Sequence, residues 1–102
     1  MAGAGAAPDR FEREYGCTET EWLRWMPDAT GCPAPQRTSA DSLRVAVADG
    51  HLQLSWQALP PRVIALMRLP RLRVRFAFEG VASTPRADFM RRFDLHLQRG
   101  GG

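Results

Sequence analysis

The stretch Leu43-Arg-Val-Ala-Val-Ala-Asp-Gly-His-Leu-Gln-Leu-Ser-Trp56 decides the fold, because apolar and polar residues alternate on both sides of Asp49-Gly50. Alternation with a period of two is typical of a half-buried β-strand. Asp-Gly favours the two-residue type I′ turn of a β-hairpin. With Asp49-Gly50 as the loop, the predicted cross-strand pairs are Val47–Leu52, Val45–Leu54 and Leu43–Trp56. One face of this hairpin is then entirely apolar.

A second hairpin is predicted directly after the first, once Pro60-Pro61 has interrupted the ladder. Residues 62–69 and 72–79 are rich in β-branched, aromatic and aliphatic side chains, and Pro70-Arg71 lies between them. The predicted inner face carries Val63, Ala65, Met67, Leu69, Leu72, Val74, Phe76 and Phe78. The opposite face, which we call the predicted binding face, carries Arg62, Ile64, Leu66, Arg68, Arg73 and Arg75.

Helices are predicted on both sides of the hairpins. Asp9-x-x-Glu12 has the capping-box pattern of a short helix that ends at Gly16, and Thr18-x-x-Glu21 has the same pattern for a second helix that Pro27 ends. Residues 27–41 are rich in Pro, Gly, Ser and Thr, which indicates a loop. Thr84 as N-cap and Pro85 begin a final helix. This helix has a single apolar stripe formed by Phe89, Met90, Phe93 and Leu97.

These elements predict an α+β fold: a four-stranded antiparallel meander of two hairpins, with short N-terminal helices and a C-terminal helix packed on one face. The 102 residues suffice for one domain. We expect this domain over residues 9–99, between a disordered tail (1–8) and a flexible C-terminal tail (100–102). The sequence has neither a long apolar span nor a secretory signal pattern. We therefore expect a cytoplasmic protein without membrane contact.

Charge is distributed unevenly along the chain. All 14 basic residues are Arg, and Lys and Asn are absent, as a GC-rich bacterial genome would produce. Residues 1–51 carry five Arg and eight acids (−3), whereas residues 52–102 carry nine Arg and three acids (+6). Such polarity is typical of a surface for nucleic acid or another anionic partner. It is equally expected if the acidic N-terminal part folds over the basic half.

Catalytic motifs are sparse. Cys17 and Cys32 are too far apart for a CxxC redox or zinc motif, but Cys17 adjoins a predicted helix N-terminus, which can lower a thiol pKa. It is therefore a candidate reactive thiol. His51 and His96 have no nucleophile or carboxylate partner at local spacing, and there is no phosphate-binding glycine loop or nucleophile elbow. We expect no enzyme activity, no cofactor and no metal.

Three segments resemble small uncharacterised proteins of GC-rich bacteria: Glu14-Tyr-Gly-Cys-Thr-Glu-Thr-Glu-Trp22, Ala58-Leu-Pro-Pro-Arg62 and Arg91-Arg-Phe-Asp-Leu-His-Leu-Gln-Arg-Gly-Gly-Gly102. No activity is attached to that family, so the resemblance implies none. The Gly-Gly-Gly end resembles the tails of ubiquitin-like and sulfur-carrier proteins, whose β-grasp element order is different. Four antiparallel strands followed by a helix are also similar to the single-strand-binding transcriptional coactivator fold, a likeness of fold alone.

The leading functional hypothesis is a non-enzymatic accessory module that binds a protein partner or itself. Its basis is the charge polarity and the apolar pair Ile64 and Leu66 on the predicted binding face. The first alternative is binding of single-stranded nucleic acid across the arginines of that face, although exposed aromatic residues for base stacking are lacking. The second alternative is a cysteine-dependent activity at Cys17.

Overall fold

A computed structural model describes residues 8–98 and shows an α+β fold built on one antiparallel sheet. The predicted tails lie outside the described residues, except for Pro8. Five strands have the spatial order β1-β5-β4-β3-β2, one strand more than predicted. In chain order the elements are β1 (Arg10–Tyr15), α1 (Glu19–Thr30), β2 (Gln36–Ser39), β3 (Ser42–Val47), β4 (Gly50–Ile64), β5 (Met67–Glu79) and α2 (Ser83–His96).

The first element is a strand, so the predicted helix between Asp9 and Gly16 is wrong. β1 pairs with β5 at the edge of the sheet, and Phe11 stacks on Phe76 with ring centroids 4.6 Å apart. Phe11 and Tyr15 are four residues apart, a spacing that puts them on one side of either a helix or a strand. Pairing with the exposed edge of β5 decides between these two structures.

The β3–β4 hairpin is confirmed, but its register differs by two residues. Ala48 and Asp49 form the loop, so that Val47 pairs with Gly50 and Val45 with Leu52. A shift of two preserves the faces, and all six predicted apolar residues are buried. We attribute the shift to a close backbone contact between Gly50 and β5. A Cβ on Gly50 would lie 2.0 Å from the Glu79 carbonyl oxygen. Gly50 is needed for close packing against β5 rather than for the turn.

β4 and β5 form one long hairpin whose turn is Ala65-Leu66, so the predicted turn at Pro70-Arg71 is wrong. The ladder continues from Leu59–Arg71 to Arg62–Leu69 across a bulge, in which Pro60 and Pro61 lie opposite Pro70. Proline is tolerated at a bulge because it has no N–H to contribute to the ladder. We call residues 60–70 the arm.

Two helix boundaries differ from the sequence predictions, and the loop predicted over residues 27–41 contains a strand. Thr18 is the N-cap of α1 and forms the predicted capping box with Glu21, but α1 continues through Pro27 to Thr30 and ends at Gly31 in the left-handed region (φ 72°). β2 lies within the predicted loop, and β1 and β2 are thus the two strands that border the sheet. α2 has Ala82 rather than Thr84 as its N-cap, without a side-chain capping bond.

Both helices cover the inner face of the sheet, which the sequence predicted for α2 and left open for α1. Trp22 of α1 is fully buried against Trp56 of β4 and Phe93 of α2, with ring centroids 6.1 and 6.0 Å apart. Phe93 in turn meets Phe76 edge-on at 5.5 Å. One continuous core therefore fills the space between helices and sheet, and the outer face is left uncovered by any element in residues 8–98.

Candidate functional site: an exposed hairpin arm

The structure divides the predicted binding face between two places. Its four N-terminal members lie on the arm, and the other two, Arg73 and Arg75, lie on the outer face of the sheet. The four arm residues also do not share one face as predicted. The true turn makes cross-strand neighbours of Arg62–Leu69, Val63–Arg68 and Ile64–Met67, so charged and apolar side chains occur on both sides of the arm.

The arm extends beyond the sheet without covering any core. β3 pairs with β4 only as far as Ser55, and β1 pairs with β5 only from Leu72. Both edges of the arm are therefore open to solvent. An isolated two-stranded hairpin is marginally stable in water. This makes the arm the part of the described chain that would gain most from a contact.

The arm also carries most of the exposed large apolar side chains in residues 8–98. The exposed fractions are 60% for Val63, 52% for Ile64, 100% for Leu66 and 61% for Met67; Leu95, on α2, is the fifth such residue. Single exposed apolar residues are common, whereas a cluster indicates a contact surface. Four neighbours on one protruding hairpin form such a cluster.

The same segment is cationic. Residues 57–78 contain five Arg and no acidic residue. Arg71 and Arg75 are neutralised by β1, because their Nε atoms lie 2.9 and 2.8 Å from carboxylate oxygens of Glu14 and Glu12. Within the described part of the chain, Arg62 and Arg68 form no ion pair. The arm therefore combines positive charge with apolar surface, and the charge of Arg62 is partly balanced by Glu14, whose pKa it helps to lower.

Prolines at the base of the arm restrict how a partner can approach. Pro60, Pro61 and Pro70 have no N–H, so an added strand could not form a continuous ladder along either edge there. Strand addition is therefore disfavoured at the base of the arm, where contact through side chains is the remaining mode of binding.

A mainly apolar depression lies at the base of the arm. Its volume is about 270 Å³, and nine residues line it: Cys17, Thr18, Glu19, Ala58, Leu59, Pro61, Pro70, Arg71 and Leu72. The turn between β1 and α1 forms one wall, and the proline bulge forms the other. We call this depression the root cavity.

The outer face of the sheet is less electropositive than the sequence indicates. The cross-strand register brings Glu12 opposite Arg75 and Glu14 opposite Arg73. On this face Glu12 forms an ion pair with Arg75, and another ion pair joins Arg10 to Glu79 at 2.7 Å. The three aromatic rings of this region, Phe11, Phe76 and Phe78, are on the inner side. This geometry favours the interpretation in which the acidic N-terminal part folds over the basic half.

Cys17 is buried, with an exposed fraction of 1%. Burial away from water, together with a smaller effect of the nearby charge of Glu21, raises the pKa of its thiol to about 11. The thiol is therefore protonated at neutral pH, although the nucleophile of cysteine chemistry is the thiolate. The expected effect of the α1 N-terminus on this pKa is outweighed by desolvation.

Other classes of site find little support among the described residues. Cys17 and Cys32 are free thiols. Within residues 8–98, no group of three or more His, Cys, Asp or Glu side chains is placed to hold a metal ion. None of the helices in this range has the length and apolar character to cross a membrane.

No protein-family model and no curated protein matches the sequence.

Proposed function

We propose that this chain is a non-enzymatic accessory module that uses its arm to dock on a protein partner, including a copy of itself. The observation that carries the proposal is the cluster of exposed apolar side chains at the arm tip, where Leu66 is 100% exposed. Complete burial of one such side chain contributes about 1.5–3 kcal/mol. Four neighbouring side chains can therefore anchor an interface.

Charge supports a protein partner with acidic character at its contact surface. Arg68 lies near the apolar tip and has no acidic cross-strand neighbour, whereas Arg62 lies nearer the base of the arm and interacts electrostatically with Glu14 of β1. Charges around an apolar contact steer association and set its orientation. A surface that presents carboxylates around an apolar depression would fit this arm.

The test is a pull-down with and without the arm. In the arm-deleted variant, Asn-Gly replaces residues 60–70, because Leu59 and Arg71 already face each other across the ladder and Asn-Gly closes a two-residue hairpin loop. Both proteins carry an N-terminal tag and are incubated with native, nuclease-treated lysate. We expect specific capture, including untagged copies of the chain, by the wild type alone.

Leu66→Ser and Leu95→Ser form a matched pair for the same assay. Each removes one exposed leucine, one from the arm tip and one from α2. Capture should fall with Leu66→Ser and persist with Leu95→Ser. Equal capture by the wild type and the arm-deleted protein would contradict the proposal.

A second candidate function is binding of single-stranded nucleic acid to the outer face. Arg73 supports it, because this exposed side chain forms no ion pair within the described residues, even though Glu14 of β1 is one of its two cross-strand neighbours and Gln57 of β4 is the other. The test compares Arg73→Glu plus Arg75→Glu with Glu12→Gln plus Glu14→Gln. The first pair should abolish oligonucleotide binding, and the second should strengthen it and steepen its dependence on salt. Binding that does not respond to salt would exclude this candidate.

We further propose that the protein belongs to the cytoplasm of a GC-rich bacterium. The use of Arg for all 14 basic residues supports the origin. The two free thiols support a reducing compartment. Fractionation of cells with an antibody against the protein would test the location.

A further inference from the structure

We infer that a depression on the outer face of the sheet binds a phosphorylated sugar, with the phosphate group on Arg73 and Arg75 and a sugar hydroxyl on Asp41. The depression, which we call the outer-face site, has a volume of about 370 Å³ and is lined by Asp41, Ser55, Trp56, Gln57, Arg73 and Arg75. It contains no residue of the arm, so the inference is independent of the proposed docking function.

The depression arises where β4 continues beyond its neighbour β3. β3 begins at Ser42, opposite Ser55, so the following residues of β4 have no β3 neighbour. The amide of Trp56 donates to the carbonyl oxygen of Asp41 at 3.0 Å, which places Asp41 beside this part of β4. Ser55 is small and leaves space next to its cross-strand neighbour Arg75. The resulting volume lies within the roughly 300–1,000 Å³ of small-molecule sites.

Arg73 is the cation that the fold leaves available in this site. One of its cross-strand neighbours, Glu14, uses both carboxylate oxygens to accept from Arg71, at 2.9 and 3.0 Å. The other neighbour, Gln57, is uncharged. In the chain from residue 8 to residue 98, the side chains of Arg73, Gln57 and Ser55 have no hydrogen-bond partner. Three neighbouring side chains with donor groups therefore face one depression.

Arg75 adds a second guanidinium group. Its Nε donates to Glu12 at 2.8 Å, while its Nη groups have no acceptor among the described residues. Arg73 and Arg75 are two residues apart on one face of β5, which corresponds to about 7 Å along the strand. Two long side chains at this spacing can converge on one phosphate group, whose oxygens match the fork of a guanidinium group.

Asp41 provides an acceptor on the opposite side of the site, across β4 from the two arginines. Its Oδ1 accepts from the Ser39 hydroxyl at 2.9 Å, and its Oδ2 has no donor within residues 8–98. A carboxylate repels phosphate but accepts hydrogen bonds from sugar hydroxyls, as in nucleotide-binding sites. The two sides of the depression therefore suit a ligand with a phosphate group at one end and hydroxyl groups at the other.

The surroundings favour one phosphate group over the backbone of a nucleic acid. The arginines of β1 and β5 that border the site are matched by carboxylates, Arg71 by Glu14 and Arg10 by Glu79. A chain of phosphates that crossed β1 from the site would also meet Glu12, the partner of Arg75. Repulsion by these carboxylates opposes an extended polyanion and leaves a single phosphate at Arg73 unaffected.

The experiment is a titration of the full chain with ribose 5-phosphate, inorganic phosphate and ribose, followed by NMR shifts of the backbone amides and the arginine Nε groups. Shifts should be largest at Ser55, Gln57 and Arg73. Ribose 5-phosphate should bind about tenfold more tightly than either component, because both sides of the site are then engaged. No shift at these residues with any of the three compounds would overturn the inference.

Three variants test the assignment of the two ends. Arg73→Gln should weaken the binding of ribose 5-phosphate and of inorganic phosphate by about tenfold or more. Asp41→Asn should weaken ribose 5-phosphate and not inorganic phosphate. Arg44→Gln is the matched control, because Arg44 is an exposed arginine on β3 that does not line the site. An equal loss with Arg44→Gln would show attraction by overall charge and would overturn the site.

An oligothymidylate of about 12 nucleotides, a length typical of single-strand sites, separates this inference from the second candidate function. Binding that is much tighter than that of ribose 5-phosphate, and that is lost in Arg44→Gln as well as Arg73→Gln, would overturn the sugar phosphate in favour of nucleic acid. The arm-deleted variant should bind ribose 5-phosphate like the wild type. Failure of the site therefore leaves the docking function intact, and failure of docking leaves the site intact.

Discussion

Arg71 joins Glu14 at the point where the arm leaves the sheet. Its Nε and Nη2 atoms donate to the two carboxylate oxygens at 2.9 and 3.0 Å, and Nη1 donates to the carbonyl oxygen of Pro60 at 3.3 Å. One guanidinium group thus connects the edge strand β1 to the proline bulge. Because the fork geometry of Arg fixes both contacts together, this group orients the base of the arm.

Arg71→Lys should loosen the arm without unfolding the sheet. A lysine ammonium retains the charge but cannot form the two-pronged contact with Glu14. We expect amide-exchange protection factors to fall in residues 60–70 and to remain unchanged in the rest of β4 and β5. A uniform loss of protection along both strands would contradict a local role.

The same contact should depend on acid. Arg71, through its hydrogen bond, holds the pKa of Glu14 below its ordinary value of 4.5. A lowered pKa in the folded state means that the stabilisation is present above the ordinary value and is lost as the pH falls through the folded-state pKa. Arm protection should therefore decrease in that acidic range. Glu14→Gln should remove the pH step and already show low protection at neutral pH.

Deletion of the arm should change the free energy of unfolding by no more than about 1 kcal/mol, because its side chains are exposed and contribute to no core. Leu72→Ala, just beyond the arm, is the matched contrast. Leu72 is 1% exposed, so its truncation should cost about 2–5 kcal/mol. Urea denaturation of both variants measures the difference. A large loss on arm deletion would show that the arm serves folding.

Gly50→Ala should destabilise the protein by about 1–3 kcal/mol or more, since the added methyl group overlaps backbone. The new Cβ would lie 2.0 Å from the Glu79 carbonyl oxygen and 2.5 Å from the Gly80 carbonyl carbon. Gly16→Ala is the control, because its nearest neighbour would be the Pro70 carbonyl oxygen at 3.9 Å. Equal stability of the two variants in denaturant would contradict the close packing of Gly50 against the backbone of Glu79 and Gly80.

Thr18→Ala and Thr84→Ala separate two N-caps that the sequence alone predicts equally. Thr18 accepts a hydrogen bond from the Glu21 amide at 3.1 Å, so its loss should cost about 1 kcal/mol. Thr84 is the second residue of α2, which begins at Ser83, so it does not occupy the N-cap position. Its replacement by alanine, a better helix former, should be neutral or slightly stabilising in thermal unfolding.

These cases show why part of the fold was predictable. Outside the arm, the alternation in β3, β4 and β5 specifies one buried face, and a two-residue change of the β3–β4 register leaves that face the same. Within the arm it does not, because Val63 and Met67, predicted to face inwards, are exposed. The apolar stripe of α2 likewise requires no knowledge of its partner. Both features depend on local periodicity, which the sequence carries directly.

The remaining parts depend on distant contacts. β1 is a strand because it pairs with the edge of β5, whose residues are 57 to 67 positions further along the chain, from the pair Tyr15–Leu72 to the pair Arg10–Ala77. The arm was missed because prolines are usual turn signals, whereas Pro60, Pro61 and Pro70 here face each other in a bulge. The one available signal was the symmetric placement of Pro61 and Pro70 about Ala65-Leu66. The root cavity needs both β1 and the bulge, so no local pattern could indicate it.

Cys17 should be the slower of the two thiols towards a thiol reagent at pH 8. It is 1% exposed and its pKa is raised to about 11, whereas Cys32 is only partly buried. A Cys32→Ser variant isolates the Cys17 rate in the native protein, and denaturant should accelerate that rate strongly. If native Cys17 reacts as fast as an unfolded thiol, the result would support the cysteine-dependent activity at this residue.

The raised pKa of Cys17 also predicts a loss of stability in alkali. The unfolded thiol ionises near its ordinary value of 9.0, while the folded thiol stays protonated to about 11. The stabilisation that the protonated Cys17 thiol gives the folded state is therefore fully present below pH 9.0 and is lost as the pH rises through about 11. Since one pKa unit corresponds to about 1.4 kcal/mol, the difference between 9.0 and about 11 corresponds to a loss of up to about 3 kcal/mol. Urea denaturation at neutral and alkaline pH should show a smaller decrease for Cys17→Ala than for the wild type, and parallel decreases would contradict the assignment.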